Sequence, residues 1–376
     1  MLEIKRLAME EELLSKIKYG NVELKNRMIF APTTMGLSKK KYFKAIEEIA
    51  KGGVGLIIIG DVPVLKSPFM PSLYTKSGFK YYETLANIAH KYDAKICAQL
   101  HESDTNLKAM FKYMPKLMLG KIKASDLNKY MNLETSKYIS SLSIDKVKNI
   151  TSSFGKAALK AKAAGFDLVE VHGDRMCGSF TSSIFNKRND IYGGSLENRF
   201  RFAKESIEAI KKADPNIAID FKLVIRLEDP HYGNAGVTAS EVKPFVKCLE
   251  AAGVNSYHVT LANHSKLDDA IPSFNHPYFK GEGCFLDIVK LVKDETKLPV
   301  CAVGGFNNPL FMNECIKAGR CDTIALAREL ICDPEFPNKV KSGNEEKIIH
   351  CARCNKGCLG GLMHHQGVHC ILYRRK

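Results

Sequence analysis

The sequence predicts an α/β fold in which eight parallel strands, each followed by a helix, close into a (β/α)8 TIM barrel. Eight short apolar runs alternate along the chain with amphipathic helical stretches, which is the pattern of a closed parallel barrel. The runs are rich in Val, Ile and Leu and do not alternate with polar residues, as expected for strands buried on both faces. The length of 376 residues is sufficient for one such barrel and a small appendage.

The strands can be assigned in chain order from these apolar runs. They are Met28–Ala31, Gly55–Gly60, Lys95–Gln99, Asp167–Val171, Phe221–Leu227, Asn255–Val259, Val300–Val303 and Thr323–Leu326. The helical stretches between them include Tyr42–Lys51, Lys80–Tyr92, Ile144–Ala164, Ser195–Ala213, Thr238–Ala252, Phe285–Thr296 and Leu310–Ala318. An open doubly wound sheet is the competing fold, but the first strand is not followed by the G-x-G-x-x-G turn of that class.

One interval, Glu102–Ser143, interrupts this alternation after the third strand. It is long, rich in Lys, Met and Tyr, and lies where the third βα loop should cover the barrel mouth. Long loops in compact domains are usually functional. We interpret the interval either as a lid over a substrate or as a structural insertion.

The composition is that of a globular protein, with 45% hydrophobic and 26% charged residues. No run of about 18 uncharged apolar residues suggests a membrane span, and the N-terminal stretch MLEIKRLAMEEELLSKIK lacks the apolar core of a signal peptide. We therefore expect a cytoplasmic protein without membrane contact. The net charge of +15 is spread along the chain without a basic stripe, so we expect no nucleic-acid partner. It indicates either a general Lys bias or attraction to an anionic substrate or an acidic partner.

Four of the twelve cysteines crowd the end of the chain. Disulfides are not expected in the cytoplasm, so this crowding indicates a metal site. The four cysteines have the spacing C-x₂-C-x₃-C-x₁₁-C and are Cys351, Cys354, Cys358 and Cys370. Such spacing can wrap a [4Fe–4S] cluster, with three ligands on one face and the distant ligand on the other. Structural zinc is the alternative, although Cys₄ zinc sites typically pair two C-x₂-C knuckles and the second knuckle is absent here.

Several longer motifs lie at or after the predicted strands in a fixed order. They are GNVELKNRMIFAPTTMG at the first strand, GGVGLIIIG at the second, AGFDLVEVHG at the fourth, NKRNDIYGGSLENRFRF after the fourth, and AVGGF with ALARELICDPEFPNK across the seventh and eighth. In this order they resemble the Old Yellow Enzyme family, most of all the branch with 2,4-dienoyl-CoA reductase, enoate reductases, bile-acid enone reductases and trimethylamine dehydrogenase. The resemblance runs from about Ile17 to Cys370. It implies an FMN-binding TIM barrel over residues 1–335 and a short C-terminal [4Fe–4S] cluster-binding segment over residues 336–376.

The resemblance also implies that FMN lies across the C-terminal mouth of the barrel. The matching strand ends offer polar groups for the edge of the isoalloxazine, a glycine for close approach, an amide for the pyrimidine, a cation for the reduced ring and a phosphate cradle. The polar groups for the isoalloxazine edge are those of Pro32, Thr33 and Thr34, and the glycine is Gly60. The amide is Gln99 and the cation is Arg226. The phosphate cradle comprises Gly304, Gly305, Ala327 and Arg328.

Flavin-dependent reduction of an activated C=C bond needs a donor to the substrate carbonyl and often a proton donor on the opposite face. His172 after the fourth strand and, less closely, His264 after the sixth match carbonyl-binding histidines of the family. The family usually has H-G-x-x-G-Y-L after the fourth strand, with the Tyr as proton donor, whereas this chain reads HGDRMCGSF there. Unless the reaction needs no such acid, the candidates for this role are Cys177, Arg175 and a Tyr of the Glu102–Ser143 interval such as Tyr113.

The resemblance therefore implies an ene-reductase acting on an enone, enoate or enoyl thioester, with electrons relayed through the cluster. Two alternatives are an electron-transfer subunit of a larger flavoprotein complex and an FMN and iron–sulfur amine dehydrogenase, which the absence of Trp disfavours because amines need an aromatic cage. Longer relatives continue past the cluster into a nucleotide-binding domain, whereas this sequence stops six residues after Cys370. We therefore expect a separate electron donor, a ferredoxin or a flavoprotein subunit, which a basic surface would suit. A homo-oligomer is compatible with the sequence.

Overall fold

The computed structural model describes residues 11–68, 70–104, 107–264 and 266–373. Within these ranges a closed ring of strands is surrounded by helices, and the cysteine-rich segment packs beside one end of the ring. The predicted fold class is confirmed. The first ten residues of the charged N-terminal stretch lie outside the described residues.

Eight parallel strands form the barrel, and each pairs with the next strand along the chain. In chain order they are β1 (Met28–Phe30), β2 (Leu56–Pro63), β3 (Lys95–His101), β4 (Leu168–His172), β5 (Ala218–Ile225), β6 (Ser256–Leu261), β7 (Val300–Val303) and β8 (Thr323–Leu326). Pairing of β8 with β1 closes the ring. Because all the strands are parallel, their carboxyl ends meet at one mouth.

All eight predicted strands are present, but several end at another residue at the mouth; β2, for example, continues beyond Gly60 to Pro63. β3 continues beyond Gln99 to His101, and β5 ends at Ile225 where an end at Leu227 was predicted. The ladder between β5 and β6 stops at Ile225. The next backbone amide, that of Arg226, bonds to Val237 O at 2.9 Å, so the chain leaves the barrel at this residue.

Helices cover the outside of the barrel, and several begin at a side chain that accepts a backbone N–H of the first turn. These capping residues are Thr75, Ser143, Ser195 and Asn308, which satisfy donors that have no partner within the helix. The longer helices are Lys39–Lys51, Lys76–Lys91, Ile144–Ala163, Leu196–Ala213, Val242–Ala252, Leu286–Lys293 and Pro309–Lys317, and each overlaps a predicted helix. Shorter helices are Glu11–Leu14, Met176–Thr181, Leu267–Ala270, Arg328–Cys332, Phe336–Lys341 and Leu359–Met363. None of the helices in the described ranges is both long and apolar enough to cross a bilayer.

The barrel interior is apolar at its amino-terminal end. Buried apolar side chains of the strands pack there against a two-stranded hairpin, Ile17–Tyr19 paired with Val22–Leu24. The Tyr19 hydroxyl of this hairpin is hydrogen-bonded to Thr323 Oγ1 at 2.5 Å. The hairpin therefore closes the end of the barrel opposite the mouth.

The Glu102–Ser143 interval forms two helices, Leu107–Met118 and Ala124–Ser141. The second helix is held against the loop that follows β6, because Asn132 Nδ2 donates a hydrogen bond to His264 O at 2.7 Å. The interval is therefore a helical insertion anchored beside the mouth. Its use as a lid stays a prediction.

Arg188 fixes the end of this insertion to the loop that follows β4. Its side chain is buried, and Nη1 donates to Ile139 O and Leu142 O, both at 2.7 Å. Nε of the same guanidinium donates to the Asp190 carboxylate at 3.1 Å. One arginine thus satisfies two backbone carbonyls and one carboxylate.

Replacing Arg188 by Met should lower the free energy of unfolding by about 2–4 kcal/mol, because two buried carbonyls and a carboxylate lose their donors while the aliphatic stem is kept. Urea denaturation measures this change. Arg201→Met is the matched control, because Arg201 donates to Ile191 O at 2.8 Å but is partly exposed. Its loss should cost less than about 1 kcal/mol. Equal losses in the two variants would contradict the anchoring role of Arg188.

Candidate active site

A cavity of about 510 Å³ opens at the barrel mouth, and every strand or the residue just after it contributes to its wall. Of the residues predicted for the flavin site, the catalytic site and the metal site, the cavity is lined by Pro32, Thr33, Thr34, Gly60, Gln99, His172, Arg175, Gly304, Gly305, Ala327, Arg328, Cys351 and Cys358. Within the described residues, six of the predicted residues do not line it: Arg226, Cys177, His264, Tyr113, Cys354 and Cys370.

One wall of the cavity leaves room for a planar ligand. Gly60 lies where the register between β2 and β3 shifts. A Cβ built there would stand 3.4–3.6 Å from Pro32, Thr33 and Gln99, which is ordinary van der Waals contact. The protein's own packing therefore does not require glycine here. Its missing side chain opens the wall to a flat ring, as expected for an isoalloxazine.

Gln99 is held in a fixed orientation at the end of this wall. Its Nε2 donates to Glu170 Oε1 at 2.5 Å, and its Oε1 accepts the backbone N–H of Asp61 at 3.3 Å. Thr34 Oγ1 in turn donates to the Asp61 carboxylate at 2.7 Å. The predicted contacts Thr34 and Gln99 are therefore linked through Asp61, a residue that the sequence analysis did not single out.

Lys222, rather than the predicted Arg226, is the cation of β5 in the cavity wall. The Arg226 guanidinium donates instead to Gly236 O at 2.6 Å and to Ser183 Oγ at 2.8 Å, away from the cavity. The sequence contained a signal for this: Asp220 and Lys222 lie two residues apart in an otherwise apolar strand, so both face the barrel interior.

Two glycines and an arginine lie together at the end of β7. Gly304 and Gly305 have φ values of 134° and 70°, which favour glycine, and a Cβ on Gly305 would lie 2.9 Å from the Arg353 guanidinium carbon. Arg353 donates to Phe279 O at 3.3 Å and also to Gly281 O. Its Nε is buried and has no hydrogen-bond partner within the described part of the chain. An unpaired guanidinium N–H beside Gly305 fits the phosphate of FMN.

Arg328, predicted for the phosphate cradle, also ties the cysteine-rich segment to the barrel. Its Nη1 donates to Pro272 O at 2.9 Å and to Asn355 Oδ1 at 2.8 Å. Asn355 Nδ2 in turn donates to Ile271 O at 2.7 Å. Arg328 was predicted from the sequence, whereas Arg353, which lies between the first two cysteines of the motif, was not.

His172 presents a hydrogen-bond donor to the cavity. Its Nδ1 accepts the backbone N–H of Asp174 at 3.2 Å, so Nε2 carries the proton of the neutral ring. Burial and the nearby charges of Lys222 and Arg175 hold the pKa of His172 well below its ordinary value. The ring therefore stays neutral and can donate Nε2–H to a carbonyl oxygen.

Arg175 lines the cavity among carboxylates, whereas Cys177 does not line it. Burial alone would lower the pKa of Arg175, but Asp104, Asp61 and Asp174 together raise it. Arg175 is therefore a permanent charge and a poor proton donor. Cys177 packs in the apolar core, where burial raises the pKa of its thiol.

His264 belongs to a separate ion pair outside the cavity wall. Its Nε2 lies 3.0 Å from Asp104 Oδ2, and Ser179 Oγ donates to the same carboxylate at 2.6 Å. Burial lowers the pKa of His264, but the attraction of Asp104 outweighs this effect and raises it. Burial alone would raise the pKa of Asp104, but the nearby His264 and Arg175 lower it to about 2. His264 was expected to bind the same substrate carbonyl as His172, but it is not among the residues that line the cavity.

The cysteine-rich segment adjoins the cavity directly. All four cysteines of the motif surround a second cavity of about 20 Å³. Two of them, Cys351 and Cys358, also line the larger cavity. Glu329 after β8 holds this arrangement by accepting the Cys351 amide at 2.8 Å, and burial raises the pKa of Glu329 to about 8.

A barrel whose mouth holds one cavity with both a wall open to a planar ligand and an unpaired guanidinium N–H beside a glycine has the organisation of a flavin-dependent oxidoreductase. Residues 12–347 match the model of the NADH:flavin oxidoreductase / NADH oxidase family, and the chain belongs to this family. The predicted resemblance is confirmed.

Individual relatives refine this result. The chain is 49% identical to bilirubin reductase of Clostridium symbiosum (strain WAL-14163) over 369 residues. These residues make up 98% of this chain and 99% of that protein. It is 34% identical to bilirubin reductase of Mediterraneibacter gnavus (strain CC55_001C) over 96% of this chain and 56% of that longer protein. Histamine dehydrogenase from Rhizobium sp. 4-9 has the same fold, with a TM-score of 0.79 and 24% identity over 97% of this chain and 52% of that chain.

The Asp104–His264 pair should make stability depend on pH. A raised His264 pKa stabilises the fold fully below about pH 6.5, and this contribution is lost as the pH rises through the raised value. The Asp104 contribution is present above about pH 3.9 and is lost as the pH falls through about 2. His264→Gln should therefore flatten the decline of the thermal midpoint between about pH 6.5 and pH 9.

Thermal unfolding followed by circular dichroism at several pH values measures this slope. His90→Gln is the control, because His90 also contacts an aspartate, Asp167 at 2.9 Å, but is exposed. Equal flattening in both variants, or none in His264→Gln, would contradict the role given to the buried pair.

Proposed function

We propose that the chain is an FMN- and [4Fe–4S]-dependent ene-reductase that reduces a C=C bond of bilirubin with electrons relayed through the cluster. One observation carries the proposal: the cavity that fits a flavin at the barrel mouth continues to Cys351 and Cys358. The choice of bilirubin is supported by the 49% identity to a bilirubin reductase over nearly the full length of both chains. Residues 1–335 would supply most of the flavin site, with Arg353 added from the segment 336–376.

When bound, FMN would supply the hydride for the substrate carbon. The protein's part is to bind a carbonyl conjugated with the C=C bond and to stabilise the negative charge that develops on its oxygen. His172 is suited to this role because its neutral ring offers Nε2–H, and a fixed donor aimed at a developing oxyanion costs no reorganisation. Arg175 adds a permanent positive charge to the same wall.

Of the three candidates for the missing acid, Arg175 is the one that lines the cavity. Cys177 is buried in the core, and the Tyr113 hydroxyl donates to Glu134 at 3.0 Å. Because an arginine keeps its proton, we assign Arg175 the stabilisation of negative charge and not proton transfer.

The spacing of the cysteines supports an iron–sulfur cluster over zinc. Zn–S bonds of about 2.3 Å in a tetrahedron would place the sulfur atoms about 3.8 Å apart. Among the described residues, no three of these cysteines have sulfur atoms that all lie within 4.8 Å of one another. A wider ring of thiols suits the larger [4Fe–4S] cube.

We further propose that a separate donor, a ferredoxin or a flavoprotein subunit, delivers the electrons. The net charge of +15 would favour an acidic partner of this kind. Amine oxidation has less support, because the phenylalanines that line the described cavity, Phe285 and Phe306, do not by themselves make a cage for a cation.

Protein purified without oxygen should contain flavin and about four irons per chain. Cys354→Ala should lose the iron and keep the flavin, because the predicted flavin contacts do not involve Cys354. Iron assay and visible absorption measure both. Cys248→Ala, at a half-buried cysteine on the helix Val242–Ala252, should keep both groups. One zinc and no iron in the unmodified protein would overturn the cluster assignment.

His172→Ala should slow the reoxidation of reduced flavin by bilirubin by roughly 10²–10³, the usual effect of losing one donor to a developing oxyanion. Stopped-flow absorption after reduction with dithionite measures this rate, and the reduction by dithionite itself should not change. His264→Ala should have the smaller effect, because His264 lies outside the cavity wall. If the unmodified protein is reoxidised by simple enones but not by bilirubin, the substrate assignment is wrong. If amines reduce its flavin, the dehydrogenase alternative replaces it.

A further inference from the structure

Below the cavity, four neighbouring strands carry a row of polar residues inside the barrel. The row comprises Gln99, Glu170, Asp220 and Ser256, which are paired in register on β3, β4, β5 and β6. Each is buried. Because strand side chains alternate, the row faces the barrel interior, like His172 and Lys222 two residues further along. The floor of the cavity is therefore polar, although the closed end of the barrel is apolar.

These residues form a continuous chain of hydrogen bonds that reaches His258. Ser256 Oγ donates to Asp220 Oδ1 at 2.5 Å, and the Asp220 and Glu170 carboxyls are hydrogen-bonded to each other. Glu170 Oε2 is 2.9 Å from His258 Nδ1, and its Oε1 accepts from Gln99 Nε2. Asp220, Glu170 and His258 thus form a line of three titratable groups.

The line ends at an unpaired nitrogen in the cavity floor. His258 is 1% exposed and lines the cavity. Its Nε2 is buried and has no hydrogen-bond partner in the part of the chain that the structure describes. A buried nitrogen without a partner is costly, so this atom is expected to meet a bound ligand. The ligand that fits this cavity is the flavin.

Two hydrogen-bonded carboxyls in a dry interior cannot both be ionised. Burial raises the pKa of both Glu170 and Asp220, so they hold one shared proton in the neutral pH range. Burial and Lys222 lower the pKa of His258 to about 3, so its ring is neutral. One carboxylate charge then balances Lys222, and the group has no net charge.

Other titratable side chains that face the group come from β3, β7 and the hairpin at the closed end: Cys97, Cys301 and Tyr19. Burial raises the pKa of all three, so they stay protonated and neutral. Of these groups, the remaining carboxylate and the His258 ring can accept another proton.

We propose that Asp220, Glu170 and His258 form a proton-accepting relay that takes up one proton from solvent when the bound flavin is reduced. The proposal rests on the proposed FMN site. Two electrons from the external donor and one proton give the flavin one extra negative charge, which is unfavourable in a dry cavity. A second proton on the relay restores neutrality. Two electrons and two protons are then taken up in total, which equals the hydride and proton consumed when a C=C bond is reduced.

The same three side chains have ligand atoms within 4.8 Å of one another, a grouping that is also compatible with a divalent cation. The 2.9 Å contact between Glu170 and His258 is a hydrogen-bond distance, and Lys222 brings a positive charge to the same floor. Both features favour a proton over a metal ion.

The test is the pH dependence of the flavin midpoint potential between about pH 7.5 and pH 9, where ordinary carboxyl and imidazole groups no longer titrate. If one proton is taken up with two electrons, the equilibrium constant for reduction changes tenfold per pH unit, and the midpoint potential shifts by about 30 mV. If two protons are taken up, the midpoint potential shifts by about 59 mV per pH unit. The unmodified holoprotein should show about 59 mV per pH unit. Glu170→Gln, which keeps the shape but removes the carboxyl that links Asp220 to His258, should interrupt the relay and show about 30 mV.

Ser256→Ala is the matched control, because it removes a hydrogen bond to Asp220 without removing a titratable group, and it should keep the slope of the unmodified protein. Infrared difference spectra between oxidised and reduced protein give a second readout: a carboxyl band should disappear in Glu170→Gln. If Glu170→Gln does not fold, His258→Asn serves in its place.

The outcomes separate this relay from the proposed function. An unmodified protein without FMN would contradict the proposed function. A protein with FMN and a slope of about 30 mV per pH unit would overturn the relay alone. One divalent metal per chain that is present in the unmodified protein and lost in Glu170→Gln would replace the relay by a metal site.

Discussion

Closure of the eight parallel strands decides which side chains can take part in the site. Every second residue of a strand faces the interior, and only the inward positions near the carboxyl ends reach the mouth. The apolar inward positions fill the closed end, and the polar ones lie beneath the cavity. Because buried polar groups are costly without partners, the polar layer is cross-linked by hydrogen bonds from strand to strand. The same constraint therefore organises both the packing of the barrel and the chemistry of its mouth.

The cysteine-rich segment is part of this mouth and not an independent appendage. Arg353 brings a guanidinium from the segment to the glycines after β7, and Arg328 reaches from the barrel to Asn355. The Glu329 carboxylate accepts the first cysteine's amide. Occupancy of the proposed phosphate site and order in the cysteine segment should consequently influence each other, since both depend on the position of Arg353.

Much of the fold was predictable from sequence, because eight apolar runs separated by amphipathic helices leave few other arrangements. The end of β5 could not be predicted, because Arg226 directly follows an apolar run. Its hydrogen-bond partners outside the barrel, Gly236 and Ser183, are not evident from the strand sequence. The role of His264 was missed for a similar reason: its partner, Asp104, lies in a distant loop. Arg353 was hidden by a motif that drew attention to its cysteines. Lys222 could have been found, because an inward charge two residues from Asp220 is visible in the strand itself.

The helical insertion is held by contacts to backbone carbonyls, from Arg188 to Ile139 and Leu142 and from Asn132 to His264. Such contacts recognise the path of the main chain and are indifferent to which side chains the accepting residues carry. A substitution at one of those accepting positions can therefore leave the hydrogen bond in place, although Ile139 and Leu142 also pack in the buried core. The path of the backbone along the border of the mouth, more than the identity of the accepting residues, therefore decides where the insertion is attached.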